Sequence, residues 1–153
     1  MTARINPFAA APDLAKLLVD FSQQVAGEGL EPSLVELVKI RASQVNGCAI
    51  CLQMHATEAR AKGETEERVL MLDAWRETTL YNDRERAALA WTEALTRLTD
   101  THAPDADYAA AAAQFSDAEL VRLTMLIGVI NTFNRIGVGF RLSPAAYARR
   151  KAA

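Results

Sequence analysis

Two cysteines occur in the 153-residue chain, and both fall in one C-x-x-C, Cys48-Ala49-Ile50-Cys51. His55 follows Cys51 by one helical turn, and Glu36 precedes the pair. Two thiols beside a base can cycle between dithiol and disulfide. On a helix, residues three apart have Cα atoms ~5 Å apart, inside the window for a disulfide. His55 neighbours Cys51 at this spacing but lies two turns from Cys48, so the base serves Cys51 better. Asn46-Gly47 is a helix stop signal, which places Cys48 in the first turn of the next helix. Unpaired N–H groups and the helix dipole stabilise a thiolate there. The dipole therefore favours Cys48 as the acidic thiol, whereas the imidazole favours Cys51. Cys48, nearer the exposed helix end, is the thiol expected to meet a reducing partner.

Glu36 arrives from the preceding helix. If the two helices form an antiparallel hairpin turning at Asn46-Gly47, Glu36 and His55 lie within about one turn of each other, at ~1.5 Å rise per residue. Glu36 could then orient His55 or receive its proton. A reaction follows. His55, assisted by Glu36, deprotonates Cys51, whose thiolate attacks a peroxide oxygen and becomes a sulfenic acid. Cys48 attacks that sulfur, and water leaves as the disulfide forms. An external dithiol then reduces it.

The elements that must position these groups read as helices throughout. A first helix runs from about Asp13 to Ala26 with an apolar stripe of Leu14, Leu17, Leu18, Phe21 and Val25. A second starts at Ser33, where Ser33-Leu34-Val35-Glu36 has the pattern of a capping box. The third, Cys48 to about Lys62, carries the thiols. A fourth covers about Thr65 to Glu77. A fifth opens at the capping pattern Asn82 to Glu85 and reaches about Thr99, before a loop from Thr101 to Asp105. A short Ala-rich helix covers Asp107 to Gln114. A third capping pattern, Ser116 to Glu119, opens the most apolar helix, which Gly137-Val138-Gly139 is expected to break. Ser143-Pro144 begins a terminal helix. Trp75, Trp91 and Phe133 fit core stripes, and Asn131 and Asn134 must find partners in the core or line a pocket. His102 is expected to be exposed in its loop.

Composition sets the class. Half the residues are hydrophobic and 24% are charged, with net charge −2. That suits one domain spanning residues 1–153 and offers no basic stripe for nucleic acid. The N-terminal segment has no signal-peptide pattern, and the longest apolar stretch, Leu123 to Ile130, is too short to span a bilayer. The expectation is a cytoplasmic protein without membrane partners. In that compartment a cysteine pair is more often catalytic or metal-binding than structural.

Glu36, Cys48, Cys51 and His55, spaced E-x11-C-x-x-C-x-x-x-H, resemble the AhpD-like alkylhydroperoxidases of the carboxymuconolactone decarboxylase superfamily. NGCAICLQMHATEARAKGETEERV, ERAALAWTEALTRL and NTFNRIGV extend the resemblance over about residues 30–140. It implies an all-α AhpD-like fold of about seven to eight helices, and a homo-oligomer such as a trimer or hexamer. It also implies reduction of a hydroperoxide without metal, flavin or other cofactor. The reductant would be an external dithiol or lipoyl-type protein. It assigns the sulfenic intermediate to Cys51 and the resolving role to Cys48. One departure is Ile50, where the best-studied members carry a second histidine.

Other readings stay open on the residues alone. The thiol pair could carry electrons to another peroxidase, or the chain could be a non-redox decarboxylase-type member. The cysteines could be small core residues, or with His55 and Glu36 could ligate zinc. Glu36 could serve only the Ser33 capping box, and His55 could be a surface residue.

Overall fold

Prolines and side-chain caps set where the helices begin. In the computed structural model, which describes residues 2–144, α1 (Pro7–Ala10), α2 (Pro12–Gly27) and α3 (Pro32–Asn46) each open on a proline. Proline's fixed φ and missing N–H suit that first helical position. α4 (Ala49–Ala61) follows Cys48, and α5 (Glu66–Met71) is capped by Thr65 and runs into a 3-10 helix (Leu72–Glu77). Asn82 and Ser116 form complete capping boxes with Glu85 and Glu119, starting α6 (Asp83–Thr96) and α9 (Asp117–Gly139). Between them lie α7 (Leu98–Thr101) and α8 (Asp105–Ala112). Among the described residues there is no strand, so the all-α expectation holds.

The differences are local. The expected fourth helix changes from α to 3-10 at Leu72, and Ala74 inside it departs from helical dihedrals. The expected fifth divides at Arg97 (φ −100°, ψ 36°) into α6 and α7. With α1, the break at Arg97 makes nine α-helices among the described residues, beside the 3-10 helix, where about seven to eight helices were expected for the chain. Gly137 does not break α9, which continues to Gly139. The Ser33–Glu36 capping box does not form: Pro32 takes the first helical position, Glu31 becomes the N-cap, and Glu36 turns into the core. On α2 only Val25 of the expected stripe is buried, while Leu14, Leu17 and Phe21 stay exposed. The helix expected after Ser143-Pro144 lies almost wholly outside the described residues.

α3 is the centre of the molecule. It packs against α2, α4, α6, α9 and the 3-10 helix. Every residue from Leu34 to Ser43 is buried, including Glu36, Lys39 and Arg41. A helix covered on all sides loses its amphipathic pattern, and its charged groups must then be paired. One such pairing centres on Glu93 of α6. It accepts from Arg41 Nε (2.7 Å), Trp75 Nε1 (2.8 Å) and Arg76 Nη1 (2.6 Å). Burial pushes the Glu93 carboxyl up, but these three donors outweigh it and hold the group below its ordinary range.

Candidate active site

The α3–α4 turn decides where the thiols sit. Gly47 adopts a left-handed conformation (φ 66°, ψ 33°), which a side chain would strain. Its N–H bonds Gln44 O at 3.1 Å, and the Cys48 N–H bonds Ser43 O at 3.0 Å. These two bonds are a Schellman motif. A polar network clamps the turn to α9. Asn46 Nδ2 donates to Asn131 Oδ1 (3.0 Å) and Asn134 Oδ1 (2.9 Å), and Asn134 Nδ2 donates to Ser43 Oγ (2.9 Å). Asn131 and Asn134 are therefore hydrogen-bonded core residues that hold the turn.

Cys48 is the N-cap of α4 and stands just before the first turn, one position earlier than expected. Cys51 lies within that turn, among N–H groups with no helical partner. The helix end thus favours a thiolate at Cys51 as well, and the opposition between dipole and base seen in the spacing falls away. The two residues are joined as a disulfide, with Cα atoms 5.4 Å apart.

The expectation of an exposed Cys48 is corrected. Cys48 is 1% exposed and Cys51 4%. The cause is Gly137 of α9. A Cβ there would lie 2.7 Å from Cys48 Sγ and 3.6 Å from Cys51 Sγ, so only glycine lets α9 approach the sulfurs this closely. Ile50 and Phe133, both half-buried, pack against the same cluster. Gly137 was legible as a glycine inside an otherwise helical pattern, which signals close packing as readily as a break.

His55 and Glu36 meet across the hairpin. His55 is buried, not a surface residue, and its Nδ1 lies 2.9 Å from Glu36 Oε2. A carboxylate only accepts, so Nδ1 carries the proton and Nε2 keeps its lone pair for base chemistry. Glu36 is fully buried, and its other oxygen accepts from Lys62 Nζ at 2.7 Å and pairs with Lys39 Nζ at 3.4 Å. Burial pushes its carboxyl up. The His55 hydrogen bond and the Lys39 and Lys62 ammonium groups prevail and hold it at about 2.

Spacing analysis missed Lys39, Lys62 and Glu58. Glu58 Oε2 lies 3.3 Å from His55 Nδ1, one turn along α4. The i, i+3 relation to His55 was its available signal. Ligating atoms of Glu36, His55 and Glu58 all lie within 4.8 Å of one another. Lys39 and Lys62 already supply positive charge to Glu36 there.

Comparison with known proteins places this geometry. The model of the carboxymuconolactone decarboxylase family matches residues 12–94. The uncharacterized protein YdfG of Bacillus subtilis is 36% identical over 138 residues, covering 90% of this chain and 94% of YdfG. The crystal structure of an Agrobacterium tumefaciens protein of unknown function, described as a candidate AhpD antioxidant defence protein, superposes with a TM-score of 0.90. That pair shares 42% identity over 93% of this chain and 97% of the other. An uncharacterized peroxidase-related protein from Silicibacter sp. TM1040 shares the fold at a TM-score of 0.80. It is 21% identical over 90% of this chain and 73% of its own. A family match over more than half of its residues and a close relative over nearly all of them agree: the chain belongs to the carboxymuconolactone decarboxylase family and has the AhpD-like fold.

Proposed function

We propose that the protein is a thiol-dependent hydroperoxide reductase. One observation carries this reading: a C-x-x-C disulfide opens the same helix whose buried histidine is held by an ionised carboxylate. In the reduced protein, His55 takes the Cys51 proton. The thiolate attacks the peroxide, forming Cys51–SOH and releasing an alkoxide that is protonated to the alcohol. The Cys48 thiol then displaces hydroxide from that sulfur, water leaves, and the Cys48–Cys51 disulfide forms. An external dithiol, such as a lipoyl-type protein, donates two electrons and two protons to restore both thiols. Glu36 keeps the His55 ring oriented and its Nδ1 protonated. The chemistry requires no metal or cofactor, and the reductant is the partner it requires.

Burial of the sulfurs in the disulfide state favours a small or slender peroxide that can pass Ile50 and Phe133. A homo-oligomer, trimer or hexamer, belongs to the same reading, as does a cytoplasmic setting. Among the described residues no helix is long and apolar enough to cross a membrane.

Stopped-flow oxidation of the reduced protein with a slender primary alkyl hydroperoxide, such as ethyl hydroperoxide, tests the proposal. Fast loss of two thiols in the wild type, loss of none in Cys51→Ser, and a trapped sulfenic acid in Cys48→Ser are expected. A wild type inert to every peroxide, yet quick to exchange with a partner's disulfide, would replace the reductase with an electron carrier.

A further inference from the structure

The charges of the chain separate around the disulfide. All 19 acidic residues lie outside residues 1–12, 37–57 and 120–153. Parts of those three stretches meet at the sulfurs: α9 closes on Cys48 and Cys51 at Gly137, and the N-terminal segment is tied to the end of α9. The Arg4 N–H bonds Phe140 O at 3.0 Å, and Arg4 Nη1 donates to Gly139 O at 3.0 Å. Arg135 Nη1 donates to Asn131 Oδ1, which also accepts from Asn46, two residues before Cys48. Arg141 follows the end of α9. Gly137 sits midway between Arg135 and Gly139, which are about 6 Å apart along the helix axis. Arg4, Arg135 and Arg141 are all exposed, and none meets a carboxylate among the described residues. Asp13, in the first turn of α2, is the first acid after Arg4 along the chain and pairs with none of the three. Elsewhere Arg60, Arg68, Arg76 and Arg84 each pair with a glutamate.

We propose that Arg4, Arg135 and Arg141 form a docking surface for an acidic face of the protein that reduces the disulfide. Arg4 and Arg135 are held on carbonyl oxygens of different turns of α9, so they do not converge on one small anion. Separated charges suit the extended face of a protein. The N-terminal end of α4 adds the positive pole of its dipole at the same place. Burial sets the form of the reducing group. The sulfurs are nearly sealed, with half-buried Ile50 and Phe133 packed against them. A dithiol on a slender arm reaches them where a thiol set into a flat domain surface does not. One partner thiolate attacks a sulfur of the pair, forming a mixed disulfide and releasing the other cysteine. The second partner thiol attacks the mixed disulfide, and the partner leaves as a disulfide. Two electrons and two protons pass from the partner to Cys48 and Cys51. The arginines steer the encounter and take no part in the exchange.

This inference rests on the proposed thiol cycle. Its test uses two synthetic peptides, each carrying the same dihydrolipoyl-lysine, one flanked by aspartates and the other by lysines. Dihydrolipoamide is the neutral reference. The readout is each peptide's rate of disulfide reduction divided by the dihydrolipoamide rate of the same protein. The net charge of −2 taken alone favours the lysine peptide, so the proposal predicts the opposite order. At about 0.01 M ionic strength, where charges act over about 30 Å, the aspartate peptide should be faster by about tenfold. The preference should vanish near 1 M salt, where the screening length is about 3 Å. Replacing all three arginines by glutamate should reverse it, and replacing them by lysine should keep it. The salt series needs no variant and stands even if the glutamate protein fails to fold. Equal rates for the two peptides in wild type at low salt would overturn the proposal. So would an aspartate preference that survives the glutamate substitutions, and if those substitutions also lower the sedimented mass, the surface belongs to a second copy of this chain. A disulfide that dihydrolipoamide does not reduce would defeat the thiol cycle itself. One that it reduces while ignoring peptide charge would remove only the docking surface.

Discussion

α2 and α3 invert what their sequences suggest. α2 has the clearer apolar stripe, yet Leu14 is 63% exposed and Leu17 66%. α3 carries Glu36, Lys39 and Arg41 along its length, yet all three are buried. An apolar stripe shows which face a helix can bury. It does not show whether a neighbour covers that face. The charges of α3 are kept inside because each meets a partner: His55 and Lys62 for Glu36, Glu36 for Lys39, and Glu93 and Asp73 for Arg41. Buried ion pairs contribute little net stability, but breaking one by removing a partner is costly. The lesson is that α3 is organised around its site, while α2 is a cover with a free apolar face.

The sharpest way to break this contrast is Glu36→Gln. It leaves Lys39 and Lys62 without a buried counter-charge, and about 3 kcal/mol of stability should be lost. Urea unfolding would measure it, and thiol oxidation by peroxide should collapse in the same variant. A loss under about 1 kcal/mol would show that the α3 charges relax into solvent. The pH dependence sharpens the same point. Glu36 is held at about 2 in the fold, against an ordinary value of 4.5. Its ionised form therefore stabilises the fold fully above pH 4.5, and that contribution is lost as pH falls toward about 2. Wild type should lose stability over that window more steeply than Glu36→Gln, whose side chain does not titrate.

A smaller effect separates two glycines of α9. At Gly137 an added methyl meets Cys48 Sγ at 2.7 Å and Ile50 Cγ2 at 3.2 Å, while at Gly128 nothing lies within 4 Å. Gly137→Ala should destabilise by about 1 kcal/mol, because overpacking exceeds the helix-propensity gain. Gly128→Ala should stabilise by up to about 1 kcal/mol. Equal melting temperatures for the two variants would mean that α9 does not close on the sulfurs as tightly as the contact implies.

The smallest effect is expected on α2. Leu14→Gln and Leu17→Gln should each change monomer stability by about 0.5 kcal/mol or less, against about 2–5 kcal/mol for truncating a buried leucine of α3 such as Leu37. Sedimentation of the same variants tests the proposed homo-oligomer. A fall in mass would show that a second copy covers the face.

Much of the site was legible before any coordinates. Local rules supplied the all-helical class, the capping boxes at Asn82 and Ser116, the glycine turn before Cys48, and the meeting of Glu36 with His55. Each depends on residues close in sequence or on one hairpin of known rise. The misplaced capping box at Ser33 shows the limit. Two local signals competed, and the proline's rigid φ prevailed over the serine's hydrogen bond.

Spacing alone determined that, once the chain folds back at Asn46-Gly47, two thiols, an imidazole and a carboxylate share one helical hairpin, because the rise per residue fixes their heights along it. Only the tertiary structure decided that the sulfurs are closed over by Gly137 and that two lysines keep Glu36 ionised. It alone left the α2 stripe uncovered. Those outcomes depend on which distant helix packs against which face. No local pattern encodes that choice, because it is settled by the summed burial and pairing of the whole chain.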